Sequence, residues 1–322
     1  MFPSEISFST PDWLVNFYHV ITVLSFFINI FGLYLIKFHS GKIDDFKYFL
    51  LWFTICCLSA DFFMFFMMQP IPLTPIWAGY INGPFRSVFG LSCHNSSTIV
   101  GFVIGQQFAA LTMCFVRKYQ AISKIDVNNS ISSVKVFNVF LFLQAIVIIW
   151  LILYHFTSVN GSVAMEIIRR EYPDYVLKFL ELEDFALYLF DQITISCMIM
   201  AGVCALVSAV IIVFSTLRML KLLTNLERQV SVSHLKRHRS AVTSLVAQFS
   251  TSAVAIIPPT GCGILLFLEF KHVQLSVWIM LAVFSCHGVL NCLVMILTYP
   301  PYRSFIRSLV YKKVDKPSGG TS

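Results

Sequence analysis

Seven stretches of this chain run on with almost no Lys, Arg, Asp or Glu, at about 14–36, 48–69, 93–116, 136–158, 190–217, 241–268 and 274–299. Each reaches the ~20 residues a helix needs to cross hydrocarbon. A chain folding in water carries about 25% charged residues. This one carries 12% in 322 residues, with 57% hydrophobic residues and 32 Phe. The pattern predicts an all-α membrane protein whose seven helices form one domain, with residues 1–13 and 303–322 as tails. The net charge of +7 suggests a polyanion partner at first sight. The basic residues instead lie in short runs between apolar stretches, not on one domain, which argues against nucleic acid. Most of the nine Cys fall inside the apolar runs, where they read as small buried hydrophobes. No basic leader or small-residue cleavage site precedes the first run, so no signal peptide is expected.

Sidedness follows from where the cations gather. The segments Lys37–Lys47, Arg117–Lys135, Arg218–Arg239 and the tail from Arg303 hold eighteen Lys and Arg; the alternate loops hold five. The basic side is therefore predicted to be cytoplasmic, with the N-terminus outside. An odd number of crossings then puts the tail inside, where its own cations also belong. Asn160-Gly161-Ser162 opens an acidic outer loop and is the glycosylation candidate.

The last apolar stretch ends on Tyr299-Pro300-Pro301-Tyr302-Arg303, a helix stop at a charged membrane edge. Phe305, Ile306, Leu309 and Val310 then alternate with cations, as in a short amphipathic helix lying on the membrane surface. Polar groups inside the runs are few. Asp61 stands ~21 Å above Lys47 and His287 ~18 Å above Tyr299, so the two are expected to meet between the second and seventh helices. Asn29 and Asn291, each ~12 Å above its inner end, are expected to form a second polar layer. Two readings stand for these four residues: a switch whose hydrogen bonds rearrange, or static glue between helices.

Pro258-Pro259 interrupts the sixth run and predicts a kink, read as a hinge or as a packing feature. Arg117 and Lys118 at the inner end of the third run, with Tyr302 and Arg303, are the candidates to face a cytoplasmic partner; Lys118 equally suits a topology anchor. Gln69, Phe102, Gln106, Gln107, Gln192, Cys262 and Trp278 lie in the outer halves. Their mostly apolar character, with a few amides, suits a small, largely hydrophobic ligand. No catalytic motif, metal-ligand set or phosphate loop stands out. No interior Lys is available in the seventh run for a Schiff base, so no cofactor is expected.

MQPIPLTPIWAGY at Met68–Tyr80 and SCHGVLNCLVMILTYPPYR at Ser285–Arg303 resemble the nematode chemosensory seven-transmembrane receptors, in particular serpentine receptor class I. CFVRKYQAI at Cys114–Ile122 and the paired prolines fit as well. The resemblance implies a bundle of G-protein-coupled-receptor type, a small-molecule ligand, a heterotrimeric G protein partner, and a place in the plasma membrane of sensory cilia. Arg117 resembles the helix-three arginine of class A receptors, although Val116 replaces its acidic neighbour. Cys93 lies near the outer end of that helix, but the loop at Val159–Leu189 has no Cys to pair with it. Against the receptor stand a ligand-gated channel subunit, which would have its N-terminus inside, and a transporter, which would carry paired broken helices.

Overall fold

The computed structural model describes residues 6–40, 46–125, 130–226, 232–267 and 272–311. The chain folds as a bundle of long helices: α1 (Asp12–His39), α2 (Phe46–Asp61), α4 (Cys93–Ser123), α5 (Ser133–His155), α8 (Gln192–Asn225), α9 (Val232–Phe267) and the pair α10 (Val273–Ser285) and α11 (His287–Thr298). Among the described residues, six of these seven units are long and apolar enough to cross a membrane. The remaining one, α9, is 36 residues long. It runs unbroken past Pro258 and Pro259, whose side chains, like that of Cys262, lie outside the described residues.

α4 is the axis of the bundle and packs against α2, α5, α8 and α9, while α1 packs against α2, α10 and α11. The outer faces of α5 and α8 carry exposed Phe137, Leu141, Ile152, Leu206, Val210 and Leu217. Water does not tolerate so continuous an apolar surface, whereas hydrocarbon does. Side-chain caps fix where the helices begin. Ser92 accepts the Asn95 N–H, Ser132 the Lys135 N–H and Asp191 the Thr194 N–H. The Thr194 amide holds the Asp191 carboxylate below its usual range. Asn160 likewise caps α6 (Gly161–Glu171) by accepting the Ser162 N–H.

Several helices outrun the apolar stretches that announce them. α4 continues from the apolar run to Ser123 and α8 to Asn225. Nothing stops a helix at the membrane edge when the following residues (Arg117, Lys118, Arg218, Lys221) are themselves good helix formers. The prolines after α11 also act differently from a plain stop. Tyr299 is extended and breaks the helix; Pro300 and Pro301 open α12 (Pro300–Tyr311), where a missing N–H costs nothing.

The end of the bundle opposite the basic loops is closed by a cap. After Asp61, α2 widens into a π-helical segment, Phe62–Met68, and ends at Gln69 in the left-handed region with φ of 50°. The chain then forms β1 (Pro70–Pro72) and β2 (Ala78–Ile81), paired antiparallel with Ile71 opposite Tyr80. The short α3 (Pro84–Ser87) leads from there to α4. A third strand, β3 (Ala186–Leu187), adds to the other edge of β2 from the loop that also holds α6 and α7 (Val176–Leu180). Ile6, Ile71, Leu73, Ile76, Ile168 and Phe179 pack beneath this sheet into a second core distinct from the one at the basic end.

Gln274 at the start of α10 ties the cap together. Its Oε1 accepts the Ser7 N–H at 2.9 Å, and its Nε2 donates to the Ser7 C=O at 2.8 Å. Gln274→Leu is expected to cost about 1–3 kcal/mol by leaving a part-buried peptide unit unpaired. Hydrogen exchange checks this: the Ser7 amide becomes fast-exchanging while amides of α4 keep their protection.

Candidate functional site

Two polar clusters lie inside the bundle, and they are not the pairs that helical depth predicts. In the first, Ser25 of α1 donates its hydroxyl to Asp61 of α2, and Asn29 bonds back to the Ser25 carbonyl and hydroxyl at 2.9 and 3.0 Å. In the second, His287 meets Gln107 of α4 at 3.3 Å and Ser252 of α9 at 3.3 Å. Asn291 donates to the same Ser252 hydroxyl at 3.1 Å. Asp61 therefore does not bond to His287, and Asn29 does not meet Asn291. Equal depth is not a shared face: residues one apart on a helix point about 100° away from each other. Gly288, the neighbour of His287, is what faces Asp61, and a Cβ placed there would fall 2.7 Å from the Asp61 Cγ.

The second cluster joins three helices from different parts of the chain. Ser252, His287 and Asn291 are buried, Asn291 at 2% exposure, and Gln107 is half-buried; Gln248 nearby is 2% exposed. A void of about 30 Å³ lies beside it, lined by Phe53, Ile104, Gln107, Phe108, Ser252 and His287. That is room for roughly two water molecules. The Asn291 side-chain carbonyl oxygen has no partner, so the network is one donor short in this arrangement. Ser252 and Gln248 carry no sequence signal, because a Ser or Gln within an apolar helix reads as ordinary composition.

Two larger cavities flank this centre. One of about 240 Å³ lies between the sheet and the first turns of α4, lined by Met68, Thr74, Trp77, Cys93, Ser97 and Tyr188. Another of about 210 Å³ lies between α4, α5 and α8, lined by Gly101, Gly105, Phe108, Trp150, Cys204 and Ser208. Both are lined mainly by apolar groups.

The expected ligand residues scatter. Gln107 alone reaches the central cluster. Gln69 is buried and serves the backbone instead: its N–H closes the π-helical segment on Met64 C=O at 2.9 Å, and its amide meets His19 at 2.7 Å. Gln106 clamps α4 to α5 through Gln144 at 2.8 Å. Trp278 is buried under the cap and donates its indole N–H to Pro72 C=O at 3.3 Å. Phe102 and Gln192 are exposed on the outside of the bundle. The Cys93 thiol donates to Gly79 C=O, and its amide to Asp184.

The basic end also differs from expectation. Arg117 turns away from the bundle axis, lying over the Phe49 ring of α2 at 4.7 Å and donating to Gln120 at 2.9 Å. Lys118 is buried, its ammonium over the Phe46 ring at 5.2 Å. Tyr302 is fully buried and shares a 2.7 Å hydrogen bond with Ser40, pinning α12 to the end of α1. Arg303 is exposed.

No curated protein matches the chain in sequence. Among solved structures, the crystal structure of squid rhodopsin superposes with a TM-score of 0.58 at 12% identity, covering 95% of this chain and 88% of that one. The likeness establishes a rhodopsin-type seven-helix fold. The family described as "Serpentine type 7TM GPCR chemoreceptor Sri" matches residues 4–306, nearly the whole chain, and the chain belongs to that family.

Proposed function

We propose that this receptor binds a small, largely hydrophobic chemical from outside the plasma membrane and passes the event to a heterotrimeric G protein at its basic end. The observation that carries the reading is the Gln107–Ser252–His287–Asn291 cluster. It ties α4, α9 and α11 together at mid-depth beside a void, with one acceptor left over. Such a network has a second arrangement within reach, and a ligand that prefers one arrangement shifts the population. The orientation follows from the cations, with residues 1–12 outside and α12 inside. In this reading Asn160 is a glycan acceptor whose Oδ1 caps α6 while its Nδ2 stays available. The receptor acts by binding, without catalysis or a cofactor, and its family suits a sensory membrane such as that of a cilium.

The test is a panel of volatile and water-soluble chemicals applied to cells expressing the full chain, read by nucleotide exchange on co-expressed G proteins. At least one compound is expected to raise exchange with saturation. An epitope placed before Asp12 is expected to be stained on intact cells. Staining only after permeabilisation would instead favour a channel subunit with the opposite orientation.

A further inference from the structure

Arg117 sits at the mouth of a cavity on the outside of the bundle, between α2, α4 and α5. The cavity holds about 510 Å³ and is walled by Phe49, Trp52, Met113, Phe137 and Phe140. A guanidinium has five N–H donors. Here Nη1 is used by Gln120, while Nε is buried with no hydrogen-bond partner. Among the described residues no carboxylate forms an ion pair with it. Its other described contact is the face of Phe49 at 4.7 Å, and a half-buried cation in that position gains from a counter-charge.

The walls say what completes it. Met113 lies one turn along α4 from Arg117, ~6 Å deeper into the bundle. Trp52 and Phe140 lie about one turn deeper than Phe49 and Phe137 on their own helices. The cavity thus has a charged rim and an aromatic interior, and it opens beside the exposed Tyr48, Val134 and Phe137, where acyl chains would surround the protein. Lys135 adds a second exposed cation at the same edge. A free anion would satisfy Arg117 and leave the aromatic walls uncovered. A sterol would cover the walls and leave the guanidinium unpaired.

We propose that this cavity holds an anionic phospholipid from the leaflet at the basic end. Its phosphate lies against Arg117, whose planar fork matches two phosphate oxygens. One acyl chain lies between Trp52, Phe140 and Met113. The site stands apart from the chemical-sensing centre and does not depend on which G protein the receptor meets.

The test uses the full-length receptor in phosphatidylcholine vesicles, titrated with phosphatidylserine brominated on its acyl chains, with tryptophan fluorescence as the readout. Quenching by the brominated phosphatidylserine is expected to saturate at a low mole fraction, and brominated phosphatidylcholine is expected to require far more. Trp52→Phe is expected to remove the saturating component. Arg117→Gln is expected to weaken it about tenfold, the worth of one charge-assisted hydrogen bond. Equal quenching by the two lipids, an unchanged response in Arg117→Gln, or a component that survives Trp52→Phe would overturn the proposal. Displacement by inorganic phosphate would also overturn it, since the site would then take a free anion. Should Arg117→Gln fail to fold, the two-lipid comparison on the unaltered receptor and on Trp52→Phe still decides the matter.

Discussion

Gly288→Val is expected to destabilise the receptor by about 3–6 kcal/mol, since it overpacks a full core and also displaces a buried carboxyl from its hydrogen bond. The new Cβ would lie 2.7 Å from Asp61 Cγ, and Asp61 has nowhere to retreat, being 4% exposed and bonded to Ser25. A loss of that size consumes much of the stability of about 5–15 kcal/mol typical of a folded domain. The measurement is the fraction of receptor that stays monodisperse on heating in detergent, where the variant should yield little or none. Gly288→Ala gives a milder form, and adding Asp61→Ala to it is expected to recover part of the loss, because the two side chains compete for one space. If Gly288→Val keeps the parent's thermal stability, Asp61 does not rest on the seventh helix as described.

The second large effect is expected at His287, and here the readout is function. His287→Leu keeps the volume but leaves Gln107, Ser252 and Asn291 each short of one partner, at about 1–3 kcal/mol for every buried group that fails to re-pair. If the two receptor states use this cluster differently, that energy falls unequally on them. A difference of about 1.4 kcal/mol moves the equilibrium tenfold. The expected result is at least a tenfold change in basal activity or half-maximal ligand concentration, with the number of receptors at the surface kept within a small factor. A fall in surface number with unchanged sensitivity in the remainder would assign the cluster to structural glue. Ser252→Ala should move sensitivity in the same direction by less, since Asn291 keeps its contact with His287.

What could be read from the sequence was set by the solvent. Hydrocarbon leaves an apolar segment little choice but a long helix, so Trp13 to Ile36 or Val136 to Ser158 announces itself by composition. The direction in which a side chain points is another matter. Asp61, His287 and Arg117 each stood out by type and depth, yet their partners depend on the rotation of one helix against another. Packing decides that rotation, and no periodicity within a single segment encodes it. The cap was harder still. Pro70, Pro72 and Pro75 argue locally against a strand, and β2 has its second partner only where residues 186–187 arrive from more than a hundred positions away to pair with Ala78 and Gly79. The π-helical widening at 62–68 has no signature in FFMFFMM, which suits an ordinary helix equally well.

The sheet and its underlying core bear on how quickly a stimulus arrives. Among the described residues, Leu73 and Ile168 have zero exposure and Ser7 is bonded to Gln274 across the cap, so these elements cover the bundle above His287. A molecule bound for the centre is then expected to enter sideways, dissolving first among the acyl chains and passing between helices. Across a set of stimulants of similar size, onset rates should then rank by oil–water partition coefficient rather than by concentration in the bath.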